Sequence, residues 1–168
     1  GFINQVFLGG AHIPWLDNGL LAKVSILGVN LWLGFPYMFL VCLGALQSLP
    51  GDIEEAAKID GASGLRTVWS IKLPLVLQST VPLLIASFAF NFNNFSLIYM
   101  LTGGGPNYPG LSVPVGESDI LISMVYKIAI DSGSPNYGLA SAMSIVIFIV
   151  VGVIAWLGFR QTKTLEEL

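Results

Sequence analysis

Charge is confined to a few short stretches of this chain, and that confinement restricts the fold more than any other feature. No Asp, Glu, Lys or Arg occurs between Lys23 and Asp52, between Lys72 and Glu117, or between Asp131 and Arg160. Within those gaps Val24 to Leu46, Leu73 to Leu101 and Leu139 to Phe159 are almost wholly apolar. Crossing a hydrocarbon core takes about 20 residues of apolar helix, and each run reaches that length. The expectation is an all-α integral membrane protein with three spanning helices, at about 22–47, 74–101 and 138–160. Residues 48–73 and 102–137 are then the two connections. Charged residues make up 10% of the chain, against about 25% in soluble domains; too few are present to cover a water-facing surface. Pro74 and Pro82 are expected at the start of the second helix, where a missing N–H matters least. Pro36 falls mid-helix and predicts a kink.

Orientation follows from the basic residues. Lys58, Arg66 and Lys72 lie around the first connection, and Arg160 and Lys163 follow the third helix. Only Lys23 and Lys127 fall on the other side. This excess places residues 48–73 and the C-terminus in the cytoplasm, with 1–22 and 102–137 outside. Ser118 to Ile130 reads as a short amphipathic helix on the outer surface, and Glu117, Asp119 and Asp131 as solvated. The first residue is Gly1, not Met, with no leader pattern, so the chain is expected to be the C-terminal part of one transmembrane domain.

Several function classes recede on the same grounds. A formal charge of −3 speaks against nucleic-acid binding. Cys42 is alone in an apolar run and reads as a small buried hydrophobe. His12 has no second His or acid cluster beside it, so no metal is expected. No ionisable residue sits inside a span, which weighs against a proton-coupled secondary transporter. No nucleophile–base pair is present, so an integral-membrane enzyme is disfavoured and no cofactor is expected.

The connection at 48–73 is the most informative stretch. Pro50-Gly51-Asp52 breaks the first helix, and Asp52 with Glu55 three residues on predicts an acidic capping box. A short helix over Ile53 to Asp60 should end at Gly61 acting as a C′ glycine. Ser63 can cap a second short helix reaching about Ile71. A docking knob for another protein and a merely well-capped connector both fit this pattern. The residues Glu55-Ala56-Ala57, Gly61 and Ile71-Lys72-Leu73-Pro74 also satisfy EAA-x3-G-x9-I-x-L-P at every fixed position. This resembles the EAA loop of binding-protein-dependent bacterial ABC-importer permeases. The resemblance implies the type I importer permease fold, in the bacterial cell membrane. It further implies a separate cytoplasmic ABC ATPase dimer as energy source, since the chain has no GxxxxGK[ST] loop. Glu55, Ala56, Ala57, Asp60 and Gly61 would carry the coupling to it.

Polar residues within the spans are the other candidates. Ser87, Asn91 and Asn94 are spaced i, i+4, i+7 on the second helix; Asn30, Gly34 and Tyr37 have the same spacing on the first. Asn30 is seven residues from Lys23 and Asn94 seven from Leu101, so both lie roughly 10 Å below the outer boundary at about 1.5 Å per residue. Amides in hydrocarbon need partners, and interhelical bonding and a sugar site explain the stripes equally well. The runs Ser87 to Phe95, Leu101 to Pro106 and Tyr137 to Ala140 resemble the maltose/maltodextrin permeases of the same family. That resemblance covers about residues 20 to 160 and implies sugar contacts at Asn30, Leu33, Gly34, Tyr37, Phe90, Asn91 and Asn94. It implies as partners a second homologous permease, an extracellular or periplasmic sugar-binding protein, maltose or maltodextrin, and the bilayer. A permease of this family for another solute is the alternative.

Overall fold

The computed structural model describes residues 1–111, 113 and 115–166, with side chains described as far as Arg160. Lys163, used in the orientation count, lies outside the described side chains. Regular structure among the described residues is helical, with one isolated antiparallel bridge between Asn107 and Gly116. In chain order the helices are α1 (Phe2–Val6), α2 (Gly19–Gln47), α3 (Gly51–Ile59), α4 (Gly64–Thr67), α5 (Leu73–Phe92), α6 (Phe95–Leu101), α7 (Leu121–Tyr126) and α8 (Tyr137–Glu166). One π-helical turn, Val68–Lys72, joins α4 to α5, and a second, Lys127–Asp131, follows α7.

Among the described residues, three helical stretches are long and apolar enough to cross a membrane: Gly19–Gln47, Gly64–Phe92 and Tyr137–Arg160. Their starts are set by short polar side chains. Asn18 Oδ1 accepts from the N–H groups of Leu20 and Leu21, Ser63 Oγ from Arg66, and Asn136 Oδ1 from Leu139. Each bond engages an amide that the first helical turn leaves without an intrahelical acceptor. Side chains along the spans are widely exposed, among them Trp32, Phe35 and Phe148. Burial inside this chain therefore does not stabilise the spans; lipid or further helices must cover them.

The second span departs from its expected limits of 74–101 at both ends. It starts ten residues earlier (74 − 64 = 10), at Gly64, so Pro74 and Pro82 both lie within continuous helix. Pro74 can give no N–H to the carbonyl of Ser70, and the π-helical turn over Val68–Lys72 sits against this site. There Leu73 N–H bonds the carbonyl of Val68 in the wider π pattern. At the other end α5 stops at Phe92. Asn94 leaves helical geometry (φ −78°, ψ 70°), and its side chain accepts from Leu97 N–H, starting α6 afresh. Asn is among the best N-cap residues; that preference interrupts a run that apolarity alone would carry to Leu101.

The chain divides into two compact units, Gly1–Leu31 with Asn93–Phe148, and Trp32–Phe92 with Ile149–Leu168. In the second, the side chain of Ile85 closes on Gly158, where a Cβ would lie 3.0 Å from Ile85 Cδ1. Small residues permit such close helix approach in membranes. Also in this unit, Ser87 Oγ lies 3.9 Å from Met38 Sδ, bringing α5 to α2. Cys42, read from sequence as a buried hydrophobe, is exposed, as expected of an apolar position on a span whose cover lies outside the chain.

Candidate functional site

The corner after α2 is built from its own backbone. α3 begins at Gly51 with Pro50 at the N-cap and no side-chain cap. Asp52 is therefore inside the first turn, and the expected capping box with Glu55 does not form. Proline's preset φ and absent N–H suit a helix start, and Asp52 and Glu54 place negative charge in the first turn. The far end follows expectation: Gly61 N–H reaches the carbonyl of Lys58 at 3.1 Å and Ala62 N–H that of Ala57 at 2.9 Å. With Asp60 as C-cap and Gly61 at φ +74°, these two bonds form a Schellman motif. A side chain at Gly61 would be strained in this left-handed conformation. The second short helix expected to end near Ile71 instead continues into α5, so α3 turns at Gly61 directly onto the second span.

An ion pair braces this corner. Lys72 Nζ donates to Glu54 Oε2 at 2.6 Å, and Lys58 Nζ stands 3.4 Å from Glu54 Oε1. The bond from Lys72, then the charge of Lys72, then Lys58, hold the Glu54 carboxyl below its ordinary value. Sequence reading singled out Glu55 and missed Glu54. The Lys58 pairing was legible as an i, i+4 spacing, whereas Lys72 comes close only because the chain turns at Gly61. Ala57 is buried in the corner, which leaves Glu55 and Ala56 as the exposed part of that motif.

The seven polar-stripe candidates distribute over both units. Leu33, Gly34, Tyr37, Phe90 and Asn91 fall in the second, and Asn30 and Asn94 in the first. One turn from the Met38–Ser87 contact stand Gly34 on α2 and Asn91 on α5. A Cβ at Gly34 would meet nothing within 4 Å, and Leu33, Tyr37 and Phe90 are exposed. Asn91 Nδ2 donates to the carbonyl of Ser87 at 2.8 Å, leaving its oxygen for another donor. Asn94 Oδ1 is used in capping α6 at 3.3 Å, leaving its amide nitrogen. The expected single stripe Ser87–Asn91–Asn94 is thus split, because the helix breaks between its second and third members.

The segment after α6 is where sequence reading missed most. Asp119 is not solvated: its Oδ2 receives Lys127 Nζ at 2.7 Å, with 4% and 5% of the two side chains exposed. Gly116 N–H and Ser123 Oγ also donate to the Asp119 carboxylate, at 2.7 and 2.8 Å. Around the pair, Ser118 Oγ shares a bond with Thr102 Oγ1 at 2.8 Å and donates to the carbonyl of Gly105. The helical part starts at Leu121, not Ser118, and Ser123, Val125, Lys127 and Ile128 on it are buried. One side of it packs on α6 and on its own segment, and Leu121 and Ile130 stay exposed. The eight-residue spacing of Asp119 and Lys127 was the only available signal.

The description "Binding-protein-dependent transport system inner membrane component" fits residues 3–163. The chain belongs to this family. Such membership carries the type I importer permease fold. Relatives in this family include the maltose/maltodextrin transport system permease protein MalF of Vibrio cholerae serotype O1, 48% identical over 99% of this chain. Those of Vibrio parahaemolyticus serotype O3:K6 and Yersinia pestis are 47% and 42% identical, over 99% and 97% of the chain. The chain spans about a third of the length of these relatives, 32% of both Vibrio proteins and 33% of the Yersinia one.

Proposed function

We infer that the chain is the C-terminal membrane portion of a permease subunit in an ATP-driven bacterial importer for maltose or maltodextrin. The observation that carries this reading is the corner itself. The Glu55-Ala56-Ala57 part of a full EAA pattern sits on a short helix, closed by a Schellman glycine, and its Ile71 to Pro74 part lies in the spanning helix that follows. The names of the relatives support the sugar. In this reading the 48–73 connection is cytoplasmic, and Glu55 and Ala56 meet a separate ATPase dimer. Ala57, Asp60 and Gly61 hold the shape of the contact. Closure of the ATPase pulls on α3, and the unbroken helix from Gly64 passes the displacement to the span.

Sugar binding is assigned to Asn30, Leu33, Gly34, Tyr37, Phe90, Asn91 and Asn94. Amides and a phenol suit sugar hydroxyls, an aromatic ring suits the apolar sugar face, and the open space at Gly34 leaves room for a ligand. A sugar-binding protein delivers the substrate and a second permease completes the pathway. Transport requires the site to hold sugar with different affinity in its two orientations; creating that difference is what ATP supplies.

The test is sugar-stimulated ATP hydrolysis by the full-length parent protein, reconstituted with its genomic neighbours and a panel of sugars. Stimulation by maltose and maltotriose is expected. Stimulation by a different solute alone overturns the substrate, and absence of any ATPase partner overturns the function.

A further inference from the structure

We propose that the buried Asp119–Lys127 pair, with Glu117, is a positioning device that sets where Asn94 and Asn30 stand. This rests on the reading of those two amides as sugar contacts. α6 is seven residues long, and its N-cap is Asn94 itself. Because α5 stops at Phe92, the span does not carry its helical register into α6. What holds α6 lies on its other side.

At its C-terminal end, Gly103 (φ +59°) closes the helix, its N–H 3.2 Å from the carbonyl of Tyr99. The next residue, Gly104, runs so close to the ion pair that a Cβ there would overlap the Asp119 carboxylate and lie 2.5 Å from Lys127 Nζ. Gly104 carbonyl accepts from Ser118 N–H at 3.1 Å, and Gly104 N–H bonds Thr102 Oγ1 at 3.1 Å. Along its flank, the rings of Phe95 and Tyr99 pack on Tyr126 at 4.8 and 5.2 Å between centroids. Tyr126 immediately precedes Lys127. Both the end and the side of α6 therefore register on the same pair.

The adjoining Glu117 reaches the other amide-bearing helix. Its carboxylate occupies the space over Gly19, where a Cβ would overlap it. That is the N-terminal turn of the 29-residue α2, whose partial positive charge favours an anion. Asn30 lies on this helix, and Asn30, Asn94 and the whole network belong to one compact unit. Residues 116–119 thus tie the start of α2 to the end of α6. Neither Asp119, Lys127 nor Glu117 needs to touch sugar for this; displacing a contact by about 1 Å is enough to cost large factors.

The experiment is a double-mutant cycle in the complete reconstituted transporter, reading half-saturating maltose concentration separately from maximal rate. Lys127→Met is expected to raise the half-saturating concentration about tenfold or more, and Lys127→Arg to restore most of it. In an Asn94→Ala background Lys127→Met should add little, because its route to the sugar is already gone. Additive losses, or a fall in maximal rate alone, overturn the positioning role. If Asn94→Ala itself leaves half-saturation unchanged, the sugar-contact reading of Asn94 fails, and the inference falls with it. Should Lys127→Met prevent assembly, Gly19→Ala and Lys127→Arg are read in the same cycle. Gly19→Ala displaces the Glu117 carboxylate without removing a charge, and wild-type half-saturation in it overturns the arm through Asn30.

Discussion

The segment from Thr102 to Asp131 and the spanning helices treat polarity in opposite ways. The segment buries an ion pair, Asp119–Lys127, and surrounds it with donors and acceptors from its own loop. The spans bury little and leave Leu33, Phe90 and Phe148 uncovered, meeting their polar needs within their own turns, as Asn91 does through Ser87. The first region pairs its charges within itself; the second leaves its apolar side chains to be covered from outside this chain. Damage to the segment should therefore destabilise this chain as well as weaken sugar binding, and damage to the spans should read out as lost transport with the fold intact.

The largest test of that contrast is the ion pair. Removing one partner of a buried pair costs about 3–5 kcal/mol, whereas replacing both with apolar residues is often neutral. Lys127→Met alone should lower the thermal stability of the purified transporter and open the 102–136 segment to protease. Asp119→Leu with Lys127→Met should recover part of the loss, the remainder reflecting the acceptor that Gly116 N–H and Ser123 Oγ lose. Equal tolerance of the single change would show that the segment depends on partners after all.

Next comes Gly34→Leu. A Cβ there meets nothing in this chain, so the fold of this chain should be retained. Filling that space should lower maltose uptake at least tenfold, equivalent to about 1.4 kcal/mol. Normal uptake would remove Gly34 from the sugar site and leave the span merely lipid- or partner-facing.

The corner lies between the two extremes. Gly61→Ala forces a Cβ into left-handed backbone at about 1–2 kcal/mol, opening the Ala62–Ala57 and Gly61–Lys58 bonds. Amide exchange at those two positions should quicken, and ATP hydrolysis should continue with less sugar moved per ATP. Unchanged coupling would separate the geometry of the corner from its proposed role.

The smallest effect is the pH response of Glu54. Its carboxyl titrates below its ordinary value of 4.5 because Lys72 and Lys58 favour the charged form. A depressed carboxylate contributes stability above its unfolded value and loses it as pH falls through the folded one. Protection of the corner amides, after correction for the intrinsic pH dependence of exchange, should therefore stay constant from neutral pH to about pH 5 and fall at more acid pH. Glu54→Gln should abolish that acid-side change and loosen the corner slightly at neutral pH; an identical acid response in both proteins would exclude Glu54.

Three long charge-free apolar runs were enough to specify three spanning helices, because hydrocarbon accepts no unpaired backbone and length alone then counts spans. Gly61 as a helix terminator and Ser63 as a cap were equally legible, since both act within a few bonds of themselves. Residue type at Leu33, Gly34, Phe90 and Asn91 marked candidates for a site, but not which neighbours would use their atoms. Where α5 ends was a contest between apolarity and the capping preference of Asn94, decided only in the folded chain. The pairing of Glu54 with Lys72, and the burial of Asp119 with Lys127, needed turns that bring separated charges together. A charge in sequence says what it can bond; whether it is solvated or buried depends on how the backbone around Gly61, Gly104 and Gly116 folds over it.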